Sequence, residues 1–180
     1  VAVRIPDDCI AAHANQSRIH QFPLNDKDNC IYSPDVISFA REKGYFDGLN
    51  KDFSFADAYC PLDFGGLRAC EARVWSFYNM FNKSIGTAYL PYIQGKSKEP
   101  MPLYIKPTNK VSVRDIQQAM RDHYENTPLD ITNDMGATAF QMPYRLSPLT
   151  FEVDGQKYFN ERPISTQQSA FTFVAQMRAN

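Results

Sequence analysis

The sequence predicts an α+β fold in which antiparallel strands and packed helices are joined by long loops. Three features support it: two β-like runs within residues 1–12, helical spacing of apolar residues in the middle of the chain, and a hairpin pattern at residues 149–159. The chain has 180 residues, of which 43% are hydrophobic and 13% aromatic. This size and this apolar content are typical of one globular domain.

Charge is spread evenly along the chain. The formal net charge is −1, and acidic and basic residues alternate without blocks. Nucleic acids and anionic membranes select basic patches, so neither partner is expected. No apolar run reaches the ~18 residues of a membrane span, and no basic segment precedes a long apolar stretch as in a signal peptide.

The N-terminal region predicts a site at the end of a strand. Its two β-like runs flank the turn signal Pro6-Asp7-Asp8. Residues 12–19 follow the second run and read A-H-A-N-Q-S-R-I. Polar side chains at the end of a strand are a common place for a functional site, so this segment is the first candidate.

A first helix is predicted after a polar loop at residues 21–29. Ser33 is expected to be the N-cap and Pro34 the first helical residue, where its missing N–H has no cost. Gly44 is expected to end the helix. The apolar positions that would face the core are Val36, Ile37, Phe39 and Ala40.

A longer core helix is predicted from residue 67. Its apolar residues recur at spacings of three and four: Leu67, Cys70, Val74, Phe77, Tyr78 and Phe81. Arg68, Glu71 and Asn79 fall off that face. Residues 50–66 are expected to be an irregular connection whose aromatic side chains pack onto the core. Residues 86–108 contain four prolines and are expected to be an extended surface connection.

A third helix is predicted with Ser112 as its cap and Asp115 at the N3 position of a capping box. The apolar stripe comprises Val113, Ile116, Ala119, Met120 and Tyr124. His123 lies beside this stripe, between Asp122 and Glu125. This cluster fits either proton transfer or a partly buried structural histidine.

The C-terminal part predicts turns at residues 127–147, then a hairpin and a last strand. The hairpin strands are residues 149–153 and 157–159, around the tight-turn signal Asp154-Gly155. The last strand is predicted at residues 170–177. Strand-like runs at both ends of the chain favour an internal segment of a longer protein, whose other strands would pair with them.

Cysteine and histidine spacing favours no compact site. The cysteines, Cys9, Cys30, Cys60 and Cys70, are too widely spaced for a small disulfide framework and are interpreted as thiols in the core or on the surface. A mixed metal site could combine two of them with His13 and His20, but compact zinc motifs use tighter pairs. None of the four lies in a papain-type signature. We therefore predict no metal site.

Asn15 has the most specific chemistry within residues 12–19. A carboxamide N–H that points at a developing oxyanion is a recognised electrostatic catalyst. The alternative interpretation is an ordinary turn asparagine at the end of a strand.

Three separated blocks of the sequence resemble the dipeptidase D family. They are V-R-I-P-D-D with H-A-N-Q-S-R-I, M-R-D-H-Y-E-N-T-P-L-D at residues 120–130, and E-R-P-I-S-T-Q-Q-S-A-F-T-F-V-A-Q-M-R at residues 161–178. This family consists of bacterial cysteine dipeptidases of the N-terminal-nucleophile (Ntn) hydrolase superfamily, and its members are considerably longer. The resemblance covers nearly the whole chain.

The resemblance implies a four-layer αββα sandwich and cleavage of small peptides without a cofactor. In this superfamily a cysteine at the processed N-terminus attacks the peptide carbonyl, and its own α-amino group is the general base. That cysteine would lie upstream of residues 1–180, so this segment alone should be inactive. The remainder of the polypeptide is then an obligatory partner. Another amide hydrolase or acylase of the superfamily, and a non-catalytic binding domain with the same fold, are the alternatives.

The resemblance also implies roles for individual residues. Asn15 would contribute to the oxyanion hole. Arg162 would orient a substrate carboxylate or the active-site network, because Arg makes bidentate contacts that Lys cannot; a structural ion pair with Glu161 or another carboxylate is the alternative. His13 is a weaker candidate for substrate binding.

Overall fold

The computed structural model describes residues 1–145 and 150–178, in which the strands are short and antiparallel. They are β1 (Ala2–Val3), β2 (Ile10–Ala11), β3 (Cys30–Ile31), β4 (Tyr104–Ile105), β5 (Thr150–Val153) and β6 (Gln156–Phe159). β1 pairs with β3, β2 with β4, and β5 with β6. The predicted pair of N-terminal strands is confirmed, but the two strands belong to different sheets.

Helices supply most of the regular structure. They are α1 (Val36–Glu42), α2 (Phe55–Tyr59), α3 (Phe64–Gly66), α4 (Ala72–Phe81), α5 (Lys83–Ile93) and α6 (Val113–Ala119). A π-helical turn, Leu67–Glu71, joins α3 to α4, and 3₁₀ turns occur at Asn50–Asp52 and Met135–Ala137. The fold is therefore α+β, with small antiparallel sheets and packed helices. Of the helices in the described part of the chain, none has the length and apolar character needed to cross a membrane.

Within the described residues, two apolar clusters form the core. The larger surrounds α4 and α5 and includes Trp75, Tyr78, Ile93, Tyr124 and Ile131. The smaller surrounds α1 and comprises Val36, Ile37, Ala40 and Phe53, with Phe55 and Tyr59 packed against it. The expected packing of aromatic residues from residues 50–66 onto the core is thus confirmed for these three rings.

The core helix, the start of α6 and the C-terminal hairpin agree with prediction. The core helix is present, and Ser112 forms the capping box of α6 with Asp115. β5 and β6 form the predicted hairpin, in which Asp154 and Gly155 have positive φ angles of 51° and 74°. Leu149, the first residue of the predicted hairpin strand, lies outside the described residues.

The predicted start of the first helix is wrong by two residues. Asp35, not Ser33, is the N-cap residue of α1. The hydroxyl of Ser33 instead bonds the Asp35 carboxylate, so it does not accept a bond from a helix N–H. The end of the helix is as predicted, because Gly44 follows α1 with a φ angle of 72°.

The two predicted connections are wrong in part, because they contain helices. Residues 50–66 include α2 and α3, which Ser54 and Asp63 cap by accepting from Asp57 N and Gly66 N. Residues 86–108 begin inside α5, where Pro91 lies in the last turn. The last predicted strand is also wrong: residues 170–177 form no strand, since no described strand lies alongside to accept their hydrogen bonds.

Candidate functional site

The polar segment that follows β2 has two inward and two outward side chains. Gln16 and Arg18 are buried, whereas His13 and Asn15 are exposed. Gln16 Nε2 donates to Cys60 O at 2.6 Å and ties the segment to the end of α2. Gln16 and Arg18 therefore hold the segment in place, whereas the side chains of His13 and Asn15 can contact a ligand.

Arg18 is buried and joins three parts of the chain. Its Nε donates to Glu71 Oε1 at 2.9 Å, and its Nη1 donates to Tyr78 Oη at 3.2 Å. The guanidinium also donates, at 3.0 to 3.3 Å, to the main-chain carbonyls of Ala12, Met101, Pro102 and Leu103. A guanidinium with its donors engaged in this way has a structural role rather than a substrate-binding one.

Glu71 is the carboxylate that balances Arg18. The helical pattern places Glu71 off the buried face, and this prediction is wrong, because Glu71 is 3% exposed. It lies in the π-helical turn, a distortion often found near functional sites. Burial raises the pKa of Glu71, and the charge and hydrogen bond of Arg18 oppose that rise.

Asn15 lies at the surface in the left-handed region of backbone space, with a φ angle of 66°. Asparagine tolerates this conformation better than most residues. Its Oδ1 accepts from Arg73 Nη2 at 2.7 Å, and Arg73 projects from the first turn of α4. The end of β2 and the start of α4 therefore meet at Asn15.

His13 and Asn15 line one cavity, of about 610 Å³. Its walls also include Ser17, Cys60 and Leu103. The structure thus brings together two of the three residues that the sequence suggests for the site.

Arg162 lines a different cavity, of about 210 Å³, together with Arg145 and Glu161. Its main-chain carbonyl accepts from Tyr124 Oη at 2.7 Å, and its Nε is buried without a hydrogen-bond partner. Glu161 pairs with Arg68 instead, and within residues 1–145 and 150–178 no carboxylate pairs with the Arg162 guanidinium. Burial raises the pKa of Glu161, while Arg68 opposes this.

The cluster around His123 follows α6 rather than belonging to it, because that helix ends at Ala119. His123 Nδ1 is 2.9 Å from Glu125 Oε1. Asp122 is buried and accepts from Ser76 Oγ at 2.7 Å. These contacts join the turn after α6 to α4.

The four cysteines are unpaired. Burial and the neighbouring Asp8 carboxylate raise the pKa of the Cys9 thiol, whereas a nucleophilic cysteine needs a lowered pKa. Among the described side chains, no three of the His, Cys, Asp and Glu residues lie close enough to hold a metal ion.

Sequence reasoning missed Arg73 and Arg68, which contact Asn15 and Glu161. One sequence feature could have identified them: three charged residues, Arg68, Glu71 and Arg73, interrupt the apolar pattern at the start of the core helix. A charged side chain in such a place needs a partner. The sequence does not reveal which partner, because the partners lie 53 to 93 positions away.

Comparison with known proteins gives a match over the full chain. The model of the family described as peptidase family C69 matches residues 1–180. A probable dipeptidase of Salmonella dublin is 32% identical over 130 residues, which are 72% of this chain and 29% of that protein.

More distant relatives have similar names. A probable dipeptidase of Latilactobacillus sakei is 28% identical over 72% of this chain and 26% of its own length. Dipeptidase A of Lactobacillus helveticus is 21% identical over 81% of this chain and 29% of its own length. The chain therefore spans less than a third of the length of these relatives.

Proposed function

Because the chain belongs to peptidase family C69, we propose that the protein of which it forms part is a cysteine dipeptidase that hydrolyses small unblocked peptides. The family match over residues 1–180 carries this proposal. The names of three relatives, each a dipeptidase or probable dipeptidase, support the substrate class.

In this proposal, residues 1–180 are an internal segment of one Ntn-hydrolase domain with an αββα sandwich. The segment lacks the N-terminal nucleophile strand and the C-terminal portion. The short coverage of the relatives supports this, as does the raised pKa of the Cys9 thiol, which suits a structural cysteine better than a nucleophile. The nucleophile would lie elsewhere in the polypeptide.

The reaction would proceed through a thioester. The N-terminal cysteine thiol attacks the peptide carbonyl carbon, its proton passes through the α-amino group to the leaving amine, and water then hydrolyses the thioester. Negative charge collects on the carbonyl oxygen in both steps. Asn15 Nδ2 would donate a hydrogen bond to that oxyanion from the wall of the cavity at the end of β2.

His13 would contact the substrate in the cavity that it shares with Asn15, whereas Arg162 would act from the second cavity, of about 210 Å³, in which Asn15 and His13 take no part. The Arg162 guanidinium has no carboxylate partner among the described residues, so it can donate hydrogen bonds to a substrate carboxylate. His13 is exposed on the same cavity as Asn15 and would contact the peptide. We expect Arg162→Lys to raise KM with little change in kcat; an unchanged KM would indicate a structural role instead.

The activity can be tested with the full-length protein. It is incubated with unblocked dipeptides and, separately, with acyl amides, and the released amines are quantified. Hydrolysis of dipeptides that disappears when the N-terminal cysteine is changed to Ala supports the proposal. Hydrolysis of acyl amides alone indicates an acylase, and no hydrolysis of either class indicates a binding domain; both results contradict a dipeptidase.

The role of Asn15 has its own test. Asn15→Ala in the full-length enzyme should lower kcat by about 10²-fold, since one oxyanion donor is lost, with little change in the free energy of unfolding. Asn109→Ala, at an exposed asparagine in the segment before α6, is the matched control and should leave kcat unchanged. Full activity of the Asn15 variant would remove this residue from the site.

A further inference from the structure

The contact between Arg73 and Asn15 fixes how the asparagine amide is turned. Arg73 Nη2 lies 2.7 Å from Asn15 Oδ1 and 3.5 Å from the main-chain oxygen of Ala14. An arginine side chain has donors and no acceptor, so its partner must be the amide oxygen. The NH₂ group of Asn15 therefore faces away from Arg73.

That NH₂ group is available to a ligand. Within residues 1–145 and 150–178 it donates to no protein acceptor, and Asn15 is exposed on the cavity that it shares with His13. An oriented amide donor without an acceptor, on a cavity wall, has the geometry that stabilises a developing negative charge.

Arg73 is itself held in a fixed position. Its Nε donates to Ala69 O at 2.6 Å, one helical turn earlier, in the π-helical turn. Arg18 and Arg68 each pair with a carboxylate, whereas Arg73 has none among the described residues. Its positive charge therefore acts on the amide oxygen, which polarises the amide and strengthens its N–H donors.

We propose that Arg73 is a positioning residue that holds the Asn15 carboxamide with its NH₂ group facing the reacting carbonyl. The inference rests on the proposed role of Asn15. Without Arg73, the carboxamide can rotate and present its oxygen to the oxyanion, which repels it. Arg73 would thus act on catalysis through Asn15, without touching the substrate.

A double-mutant cycle in the full-length enzyme tests this inference. We expect Arg73→Met to lower kcat by ~10-fold or more, up to the ~10²-fold effect of Asn15→Ala, with KM unchanged. In the Asn15→Ala background, Arg73→Met should have no further effect on kcat, because the amide that it positions is already gone. Arg73→Lys, which keeps a donor and the charge, should recover part of kcat.

Arg41→Met is the matched control. Arg41 Nη2 donates to Asn50 Oδ1 at 2.7 Å, the same type of contact, and neither residue lines the cavity of Asn15 and His13, so its loss should leave kcat unchanged. A kcat effect of Arg73→Met that is the same in both backgrounds would overturn the inference, as would no effect. If Arg73→Met does not fold, Arg73→Lys is carried through the same cycle. Full kcat of Asn15→Ala alone would instead contradict the proposed role of Asn15.

Discussion

The buried pair of Arg18 and Glu71 links elements that are distant in the sequence. The two side chains are 4% and 5% exposed, and their charged atoms lie 2.9 Å apart. Tyr78 Oη donates to Leu103 O at 2.7 Å and so joins the same network. The attraction within a buried ion pair adds little to the free energy of unfolding, because burying the two charges has a cost. Removing one partner is strongly destabilising, because the other charge then stays buried without compensation.

Arg18→Met should therefore destabilise the full-length protein by about 3–5 kcal/mol, because it leaves the Glu71 carboxylate buried without its cation. Urea unfolding followed by circular dichroism measures the change in the free energy of unfolding. Arg4→Met is the control: Arg4 and Asp7 are 61% and 89% exposed, so its loss should have almost no effect. Equal effects of the two substitutions would contradict the structural role of Arg18.

Asp122 should make stability depend on pH. Burial raises the pKa of its carboxyl, although Ser76 Oγ and Tyr124 N donate to it. A carboxyl with a raised pKa in the folded state stabilises the fold below about pH 4, its unfolded pKa, and loses that contribution as pH rises through the folded pKa.

The stability of Asp122→Asn relative to wild type should therefore increase as pH rises above about 4 and through the raised pKa of the folded state. Urea unfolding at a series of pH values gives this difference. Asp115→Asn should show its pH dependence in a different range, because hydrogen bonds from Ser112 lower the pKa of Asp115: its carboxylate stabilises the fold above about pH 4 and loses that contribution as pH falls below it. A difference between Asp122→Asn and wild type that does not change with pH would contradict the prediction.

At the scale of elements, α6 depends on its capping box. Ser112 Oγ accepts from Asp115 N at 3.3 Å, and Ser112 N donates to Asp115 Oδ2 at 2.8 Å. Ser112→Ala should lower the free energy of unfolding by about 1 kcal/mol, measured by thermal or urea unfolding. Ser84→Ala, at an exposed site in the first turn of α5, should cause no loss. A similar loss at both sites would show that the cap is not responsible.

Two elements that neighbouring residues determine, the start of α6 and the C-terminal hairpin, could be predicted from the sequence. Ser112 with Asp115, and Asp154 with Gly155, act on backbone within three residues, so their patterns identified a helix start and a hairpin. Proline usually ends a helix, so Pro91 favours the prediction of an extended connection. In the structure it lies inside α5, just before two buried residues. That burial depends on packing against α4, which local sequence does not encode.

The candidate site was predictable only in part for the same reason. Asn15 and His13 stand out by chemistry and by their place after a strand, and the structure places both on one cavity. Arg73 reaches Asn15 from 58 positions away, and Glu71 reaches Arg18 from 53. The pattern of a single sequence does not show which distant residues are in contact, so it predicts the helix that supports the site only as a core helix.

At the scale of the whole molecule, several large apolar side chains are exposed within residues 170–177. Phe171, Phe173 and Met177 are 80%, 76% and 92% exposed, and they lie at odd-numbered positions of residues 170–177, which form no strand in this structure. Alternating apolar residues are typical of a strand with a buried face. The proposed internal segment of a longer peptidase domain explains this exposure, because the rest of the polypeptide would pair with the segment and cover it.

Phe173→Asp should then destabilise the full-length protein by about 3 kcal/mol or more, since a charge would enter an apolar interface. Phe140→Asp is the matched control, because Phe140 is 83% exposed but lies in a turn rather than in an alternating segment. The free energy of unfolding of the Phe140→Asp variant, measured in urea, should be close to that of wild type. If Phe173→Asp is as harmless as Phe140→Asp, the segment stays uncovered in the full-length protein, and the proposed strand pairing with the rest of the domain is wrong.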